Sequence, residues 1–315
     1  MSTLQVAVSA LHSIAVNKVD WQSRETGTSQ WRTVETLRLD ALGRASVRVS
    51  PWKETEYRAV VRKTRTVSTV ASGSFSVSTL PAGEPVVHPR GVPEPRFGGL
   101  LDPSGRPRAV GSDAGPVVSR IPDAVWDRMV GVSFGEDCPV GRESLRYVQV
   151  NYWGFDGYRY RGEIVVHASI AKQVAEIFSD LYRLRYPIRQ MRLVDDFGKN
   201  PLKGADDYAA MSADNTSGFN CRYVDGKESQ GVLSPHAWGK AIDINTWENP
   251  FQARTGVFPH TAYLDRGRPH RAVFDGLESP AVHAFESHGL QWGGRWDEKD
   301  YHHFEVLPTT RSGGK

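Results

Sequence analysis

The first 79 residues alternate apolar and polar positions in short runs, which is the period of β-strands with one buried face. The runs include residues 31–37, 45–50, 57–61 and 72–77, and turn-forming residues lie between them. Strands so short and evenly spaced must bury one face against a second sheet. The pattern therefore predicts an all-β sandwich over residues 1–79.

A stretch rich in proline and glycine follows this region. Residues 80–117 contain eight prolines and few large apolar residues. Proline fixes its own φ and cannot donate to a strand ladder, so this density favours an extended, semi-rigid segment. The stretch is predicted to link two domains.

The remainder of the chain mixes strand and helix patterns. Residues 147–155 and 162–168 have the composition of strands. Apolar residues then recur at helical spacing until Pro187 blocks continuation, and a Ser-Pro pair at residues 279–280 predicts a second helix that stops at Gly289. The apolar positions of the first helix are Ile170, Val174, Ile177, Phe178 and Leu181.

These elements predict a multidomain protein. The irregular order of strands and helices favours an α+β domain over residues 118–307, followed by a flexible tail at residues 308–315. A length of 315 residues agrees with two domains, because single hydrophobic cores stop growing at about 250 to 300 residues.

Composition excludes some classes of function. A net charge of +3 gives no indication of nucleic-acid binding. No apolar run approaches the ~18 residues that cross a bilayer, so we expect no membrane span. The first 18 residues lack the arrangement of a signal peptide, so we expect no export signal in the sequence as it stands.

The charge is unevenly distributed between the two regions. Residues 1–79 hold eleven Lys or Arg and six Asp or Glu, a net charge of +5. A solvated face is the ordinary reason for such an excess, and attraction to an anionic surface such as a cell wall is the alternative.

The first motif with chemical meaning is Ser-Pro-His-Ala-Trp-Gly-Lys-Ala-Ile-Asp-Ile-Asn at residues 234–245. Its end reads as a strand, so alternation places Ala241, Asp243 and Asn245 on one face and two isoleucines in the core. His236 must then come from the preceding loop, and the glycine between them allows a close approach. One imidazole nitrogen and one carboxylate oxygen are suitable ligands for zinc.

The second motif supplies a third ligand near the C-terminus. If residues 302–305 form a strand, His303 and Glu305 share one face while His302 and Phe304 share the other. We favour His303 as the ligand because Phe304 would anchor the opposite face in the core. His302 is then expected to support the ligands or to face the substrate.

Three protein ligands leave a zinc ion with an open position for water, which is the arrangement of a catalytic site. A carboxylate must still take the proton of that water and deliver it to the leaving amine. Asp300, three residues before His303, is the candidate. Ser234 and Asn245 are expected to fix the orientation of the ligands, since metal sites need such support.

SPHAWGKAIDIN followed by DYHHF resembles the M15 family of zinc peptidases, the D-Ala-D-Ala carboxypeptidases and L-Ala-D-Glu endopeptidases. The similarity also takes in CPVGRESLRYVQVNYWGFDG, GEIVVHA, DNTSGFNCR and WGGRW, and so covers about residues 118–306. The resemblance implies Zn²⁺ held by His236, Asp243 and His303. It also implies a catalytic carboxylate at Asp300 and a substrate-binding guanidinium at Arg222.

Within that family, carboxypeptidases usually have Glu at the position of Asp300, whereas endopeptidases commonly have Asp. In this respect the chain resembles the endopeptidases. The resemblance therefore implies hydrolysis of peptidoglycan stem peptides outside the cytoplasm, in wall lysis or remodelling. A D-Ala-D-Ala carboxypeptidase is the alternative, and a zinc-containing wall-binding module without turnover is a third interpretation. WRTVETLRLDALGRASVRV and ETEYRAVV resemble the immunoglobulin-like modules of secreted actinobacterial proteins, which implies an accessory or surface-binding role.

The chain has two cysteines, Cys138 and Cys221. A disulfide is one interpretation if the protein works outside the cytosol. Two free buried thiols are the second, and Cys221 as a metal ligand is the third.

Overall fold

The computed structural model describes the backbone of residues 4–9 and residues 17–49, 51–63, 68–95, 106–267 and 270–307. The chain divides into two compact units, Met1–Pro81 and Ala82–Lys315. Both are rich in strands, with few helices. None of the described helices is long and apolar enough to cross a membrane. The tail predicted at residues 308–315 lies outside the described residues.

The described part of the first unit is built of antiparallel strands, as the alternation predicts. The strands are β1 (Leu4–Ser9), β2 (Lys18–Glu25), β3 (Arg32–Arg38), β4 (Arg44–Val49), β5 (Thr55–Val61), β6 (Val70–Ala71) and β7 (Phe75–Val77). β1 pairs with β4, and a second sheet has the order β3-β2-β5-β6 with β7 also beside β5.

One apolar core holds the two sheets of this unit together. Trp21 of β2 stacks on Tyr57 of β5 with ring centroids 5.5 Å apart. Val49 of β4 belongs to the same buried cluster, so both sheets contribute to it. These layers agree with a sandwich, while an immunoglobulin-like topology stays a prediction.

The second unit combines short sheets with four described helices. Its strands are β8 (Val117–Ser119), β9 (Leu145–Trp153), β10 (Arg159–His167), β11 (Gln190–Met191), β12 (Asn215–Thr216), β13 (Ala241–Asp243), β14 (Phe251–Ala253), β15 (Gly256–Phe258), β16 (Gln291–Trp292) and β17 (His303–Glu305). Its helices are α1 (Asp123–Met129), α2 (Ala171–Arg183), α3 (Asp207–Ser212) and α4 (Pro280–Glu286).

The two helices predicted from the sequence are confirmed. α2 ends at Arg183, before Pro187, and buries its apolar face against β9 and α4. α4 begins with Pro280 in its first turn, and Gly289 just beyond it has a φ of +85°.

The proline-rich stretch differs from the separate connector that its composition predicts. Its described parts belong to the second unit from residue 82 onward. The amide of Gly83 donates to the carbonyl of Gly157 at 2.9 Å, and the carbonyl of Pro107 accepts from the amide of Arg161 at 2.7 Å. Proline removes donors but leaves every carbonyl available, so the segment still pairs with the β9–β10 hairpin.

A small antiparallel sheet with the order β13-β17-β16 carries the chemical motifs. Asp243 lies directly opposite His303, and Ile242 lies opposite Phe304. Phe304 is fully buried and stacks on Phe285 with ring centroids 3.8 Å apart. Because opposite residues in paired strands point to the same face, Asp243 and His303 emerge together.

The two cysteines form a disulfide. Cys138 and Cys221 are bonded, with their Cα atoms 5.9 Å apart, and no cysteine is free. Both pack against a buried cluster that includes Ile121 and Phe219. The alternatives of free thiols and of a Cys221 metal ligand are therefore wrong for this structure.

The disulfide leads to a stability prediction. Replacing Cys138 and Cys221 by serine should lower the free energy of unfolding of the second unit by about 4 kcal/mol, because the bridge closes a loop of 83 residues. Calorimetry of the full chain should show a lower melting temperature for the transition of the second unit. The transition of the first unit, which has no cysteine, should not change and is the internal control. A reduced wild type that melts at the oxidised temperature would contradict this expectation.

Candidate metal centre

His236 is presented by a short 3₁₀ turn that spans Pro235–Trp238. Proline at the first position has the φ that the turn needs, and the hydroxyl of Ser234 accepts a long hydrogen bond of 3.4 Å from the amide of His236. We predicted from the sequence that Ser234 supports a metal ligand. The Ser234 side chain lies where it can hold the turn that carries His236.

Gly239 closes the turn and brings it against β10. Its φ is +66°, and its carbonyl accepts from the amide of His167 at 2.8 Å. A Cβ at this position would lie 2.7 Å from the same amide nitrogen. Only glycine therefore allows this approach without a shift of the backbone.

The ring of His236 has one nitrogen occupied by the backbone. Its Nδ1 lies 2.6 Å from the carbonyl oxygen of Gly218, an acceptor, so this nitrogen carries the proton. The Nε2 lone pair then faces Asp243 Oδ2 at 3.1 Å and His303 Nδ1 at 3.3 Å.

His303 has the same arrangement with a carboxylate in place of the carbonyl. Its Nε2 lies 3.2 Å from Glu305 Oε2, and its Nδ1 lies 2.9 Å from Asp243 Oδ1. A proton on Nε2 donated to Glu305 leaves Nδ1 as the free donor atom for a cation. The sequence pattern placed Glu305 on the face of His303 but did not suggest this role.

His236, Asp243 and His303 have the geometry of a zinc site. Their ligand atoms all lie within 4.8 Å of one another, and the three side chains are buried. Zinc bonds of about 2.0–2.1 Å at tetrahedral angles place ligand atoms about 3.3 Å apart. The observed contacts of 2.9, 3.1 and 3.3 Å are close to this separation, so the residues fit the metal.

The electrostatics also favour a cation. Burial opposes the ionisation of Asp243, but the charges of His236 and His302 and the hydrogen bonds from the ligand histidines outweigh it, and its pKa lies well below the usual range. Burial likewise lowers the pKa of His303, yet the hydrogen bonds to Asp243 and Glu305 prevail and raise it to about 10. The carboxylates of Asp243 and Glu305 thus hold a proton on His303, and a cation at Nδ1 would take the place of that proton.

Asp300 and His302 lie beside the three ligand residues. His302 is buried, with Nδ1 2.8 Å from the carbonyl of Asn249 and Nε2 3.1 Å from Asp300 Oδ1. That oxygen forms no hydrogen bond with any described residue. Burial raises the pKa of Asp300, and the nearby His302 and His303 offset this only in part.

Arg222 follows the disulfide directly. One Nη2 contact of 2.8 Å joins it to Asp207, while its buried Nε has no hydrogen-bond partner among the described residues. Burial opposes its charge, but Asp207 and Asp243 help to raise its pKa above the ordinary value. The carbonyl of Arg222 accepts from the amide of Ser234 at 3.0 Å, which places the Arg222 backbone beside the turn that carries His236.

Asn245 differs from the prediction. β13 ends at Asp243, and Asn245 has a φ of +46°, so it does not continue the face of that strand. Its side chain accepts from the amide of Arg189 and donates to the carbonyl of Pro187. These bonds fix the turn after the strand and touch no metal ligand.

Comparison with known proteins agrees with this geometry. Residues 227–306, about a quarter of the chain, match the family model of D-alanyl-D-alanine carboxypeptidase. The match supports a peptidase of the M15 family. It contains His236, Asp243, Asp300 and His303, and it begins after Arg222. No curated protein and no solved structure matched the chain.

Gly239 allows a matched test of the turn that carries His236. Gly239→Ala should weaken zinc binding about tenfold or more, because the added Cβ meets the backbone of β10 and displaces the turn. Gly231 has the same φ of +66° with open space around it, so Gly231→Ala has the same backbone strain without the collision. Competition with a chelator measures both affinities, and equal losses in the two variants would contradict this account.

The contact of Glu305 with His303 leads to a second prediction. Glu305→Gln should reduce zinc affinity about 10- to 100-fold, because the amide no longer holds the Nε2 proton with a full charge. The exposed Glu278 provides the control, since Glu278→Gln removes the same charge far from any ligand contact. Calorimetric titration with zinc checks both, and unchanged affinity in Glu305→Gln would refute the role.

Proposed function

We propose that the second unit is a zinc peptidase that hydrolyses an amide bond in peptidoglycan stem peptides, as an L-Ala-D-Glu-type endopeptidase. One observation carries the proposal: two imidazoles and a carboxylate converge within 4.8 Å, with the partly buried carboxyl group of Asp300 beside them. A merely structural zinc site needs no additional carboxylate of this kind, whereas amide hydrolysis does.

In this proposal His236, Asp243 and His303 hold the ion. A zinc ion bound there supplies Lewis acidity, which polarises the scissile carbonyl and lowers the pKa of water toward ~7. Gly218 and Glu305 fix the two imidazoles with the correct nitrogen toward the ion. The ligands therefore need little rearrangement when the ion binds.

Asp300 acts as the general base and then as the general acid. It accepts the proton of the attacking water and returns it to the leaving amine, so the carboxyl group ends each cycle unchanged. Oδ1 contacts His302 Nε2 at 3.1 Å but forms no hydrogen bond with any described residue, which supports this role because a water molecule can still donate to it. His302 acts as a positioning residue, with its ring held by the carbonyl of Asn249.

Arg222 binds a carboxylate of the stem peptide. A guanidinium forms paired hydrogen bonds with a carboxylate, and Asp207 holds one side of this one in place. The buried Nε without a partner leaves a donor for the substrate.

The choice of bond rests on Asp300. An Asp at this position is similar to the endopeptidases of the family, which supports a cut between L-Ala and D-Glu. Removal of a terminal D-Ala is the second candidate, favoured by the description of the matched family model. We propose an extracytoplasmic site of action, supported by the Cys138–Cys221 disulfide, with the basic first unit in contact with the cell wall.

Digestion of purified cell wall by the zinc-loaded full chain tests the function. The wild type should release peptides, and Asp300→Asn should lose at least 100-fold in rate while it keeps its zinc, because the proton acceptor is removed. Asp297→Asn is the control, since Asp297 is exposed on the same loop. Equal digestion by wild type and Asp300→Asn would refute the mechanism.

Mass spectrometry of the products from a defined pentapeptide decides between the candidates. A cut after the first L-Ala supports the endopeptidase, and loss of one D-Ala supports the carboxypeptidase. Zinc-loaded protein that binds the wall but releases neither product is a binding module, and the proposal of a peptidase is then wrong.

A further inference from the structure

The sheet of the first unit that contains β2, β3 and β5 has one side turned away from the core. Trp21 of β2 and Tyr57 of β5 belong to the buried cluster of this unit. Side chains alternate along a strand, and residues opposite each other in paired strands share a side. The other side of the sheet, which we call the outer face, therefore carries the cations Lys18, Arg24, Arg38, Arg58 and Arg62.

Carboxylates neutralise only part of the charge on the outer face. Arg24 Nη2 lies 2.6 Å from Glu56 Oε2, and Arg62 forms an ion pair with Asp20. These two are the carboxylates of the outer face, so five cations and two acids leave a net charge of +3. Among the described residues, the cations without an acidic partner are Lys18, Arg38 and Arg58.

The other acidic side chains of the first unit do not neutralise this excess. All six acidic residues of the unit fall in the described ranges. Glu25 and Glu35 share the core-facing side with Trp21, since one lies on the same strand parity and the other directly opposite. Asp40 accepts from two backbone amides in the turn after β3. Glu54 lies in the loop before β5 and forms no ion pair with a described residue.

Arg58 is held in place by neutral groups. Its Nε donates to Gln22 Oε1 at 2.9 Å, and its guanidinium carbon lies 4.2 Å from the centroid of the Trp31 ring. The same half-buried ring also lies 4.6 Å from the guanidinium carbon of Arg24. Contacts of this kind fix the side chain without cancelling its charge. An anion that binds Arg58 therefore immobilises a side chain that is already ordered, which costs less entropy.

The unpaired charges lie at two separate places on the outer face. Arg38 lies opposite Lys18, and Arg58 lies opposite Gln22. The four residues from Lys18 to Gln22 span about 13 Å along β2, at about 3.3 Å per residue. A single small anion cannot contact both places, whereas a polymer with repeated anionic groups can.

We propose that the outer face binds an anionic polymer of the cell wall whose units are joined by phosphodiester groups. The choice of a wall polymer rests on the proposed function, which places the substrate of the second unit in the same wall. Phosphate forms strong charge-assisted hydrogen bonds with guanidinium and ammonium groups, and the Trp31 ring offers apolar surface to the carbon skeleton between phosphates. DNA has the same linkage, but the Cys138–Cys221 disulfide supports action outside the cytoplasm.

Co-sedimentation of the zinc-loaded full chain with purified cell walls tests the proposal, in short incubations on ice. The walls are used intact and after hydrofluoric acid has removed their phosphate polymers. The wild type should bind intact walls at least tenfold more tightly than stripped walls, and added salt should weaken this binding. The double variant Lys18→Gln/Arg58→Gln should lose at least tenfold in affinity for intact walls.

The matched control removes the same charge from another face of the same unit. Arg44 and Arg48 are exposed on β4, which belongs to the other sheet. Arg44→Gln/Arg48→Gln should therefore bind intact walls as the wild type does. Equal losses in the two double variants would overturn the proposal, because net charge and not the outer face would then determine binding.

Other results would also overturn it. Equal binding to intact and stripped walls would exclude a phosphate polymer as the partner, and binding of duplex DNA as tight as that of intact walls would exclude selection of a wall polymer. If Lys18→Gln/Arg58→Gln does not fold, as judged by circular dichroism, Lys18→Gln/Arg38→Gln decides, since both of its positions are exposed.

Hydrolysis of a soluble pentapeptide separates this test from the proposed function. The pentapeptide carries no wall polymer, so every variant should cleave it at the wild-type rate. Weaker wall binding with unchanged hydrolysis supports the outer face. Wall binding that depends on the outer face, in a protein that cleaves no peptide, refutes the peptidase and leaves the binding face in place.

Discussion

The pairing of β13 with β17 is the interaction on which the candidate site depends. Each strand has only three residues, yet their register places Asp243 opposite His303 and so puts two donor atoms 2.9 Å apart. A slip of β17 by one residue would turn His303 to the opposite face of the sheet, away from Asp243. The ring of Phe304, clamped between neighbouring aromatic side chains in the core, prevents that slip.

The orientation of the two imidazole rings is set by groups that contact His236 and His303 but are not themselves candidate metal ligands. The carbonyl of Gly218 and the carboxylate of Glu305 each occupy the outer nitrogen of one imidazole. Gly218 can do so only because it lacks a side chain, since a Cβ there would lie 2.5 Å from the carbonyl of Val165. Glycine thus contributes to this centre at Gly218 and at Gly239 through close approach to β10.

The parts of the site that the sequence predicts are those set by local periodicity. Alternation along residues 302–305 separates His303 from Phe304, and the structure places them on opposite faces as expected. The orientation of Asn245 could not be predicted from local alternation. Its left-handed backbone is held by residues 186–189, which lie more than fifty positions away in the sequence. The packing of the proline-rich stretch could not be predicted either. Its backbone forms hydrogen bonds with the β9–β10 hairpin, and no local sequence pattern indicates that pairing.

One strand links the hydrophobic core to the chemistry. Phe304 points into the interior while its neighbour His303 points into the cluster of donors, so a single peptide unit connects the two environments. Any change in the size of the interior side chain must tilt the strand and alter the spacing of the donors on its other face. Repacking the interior beneath this sheet for thermal resistance would therefore also alter how well the three donor atoms fit the zinc ion that we propose.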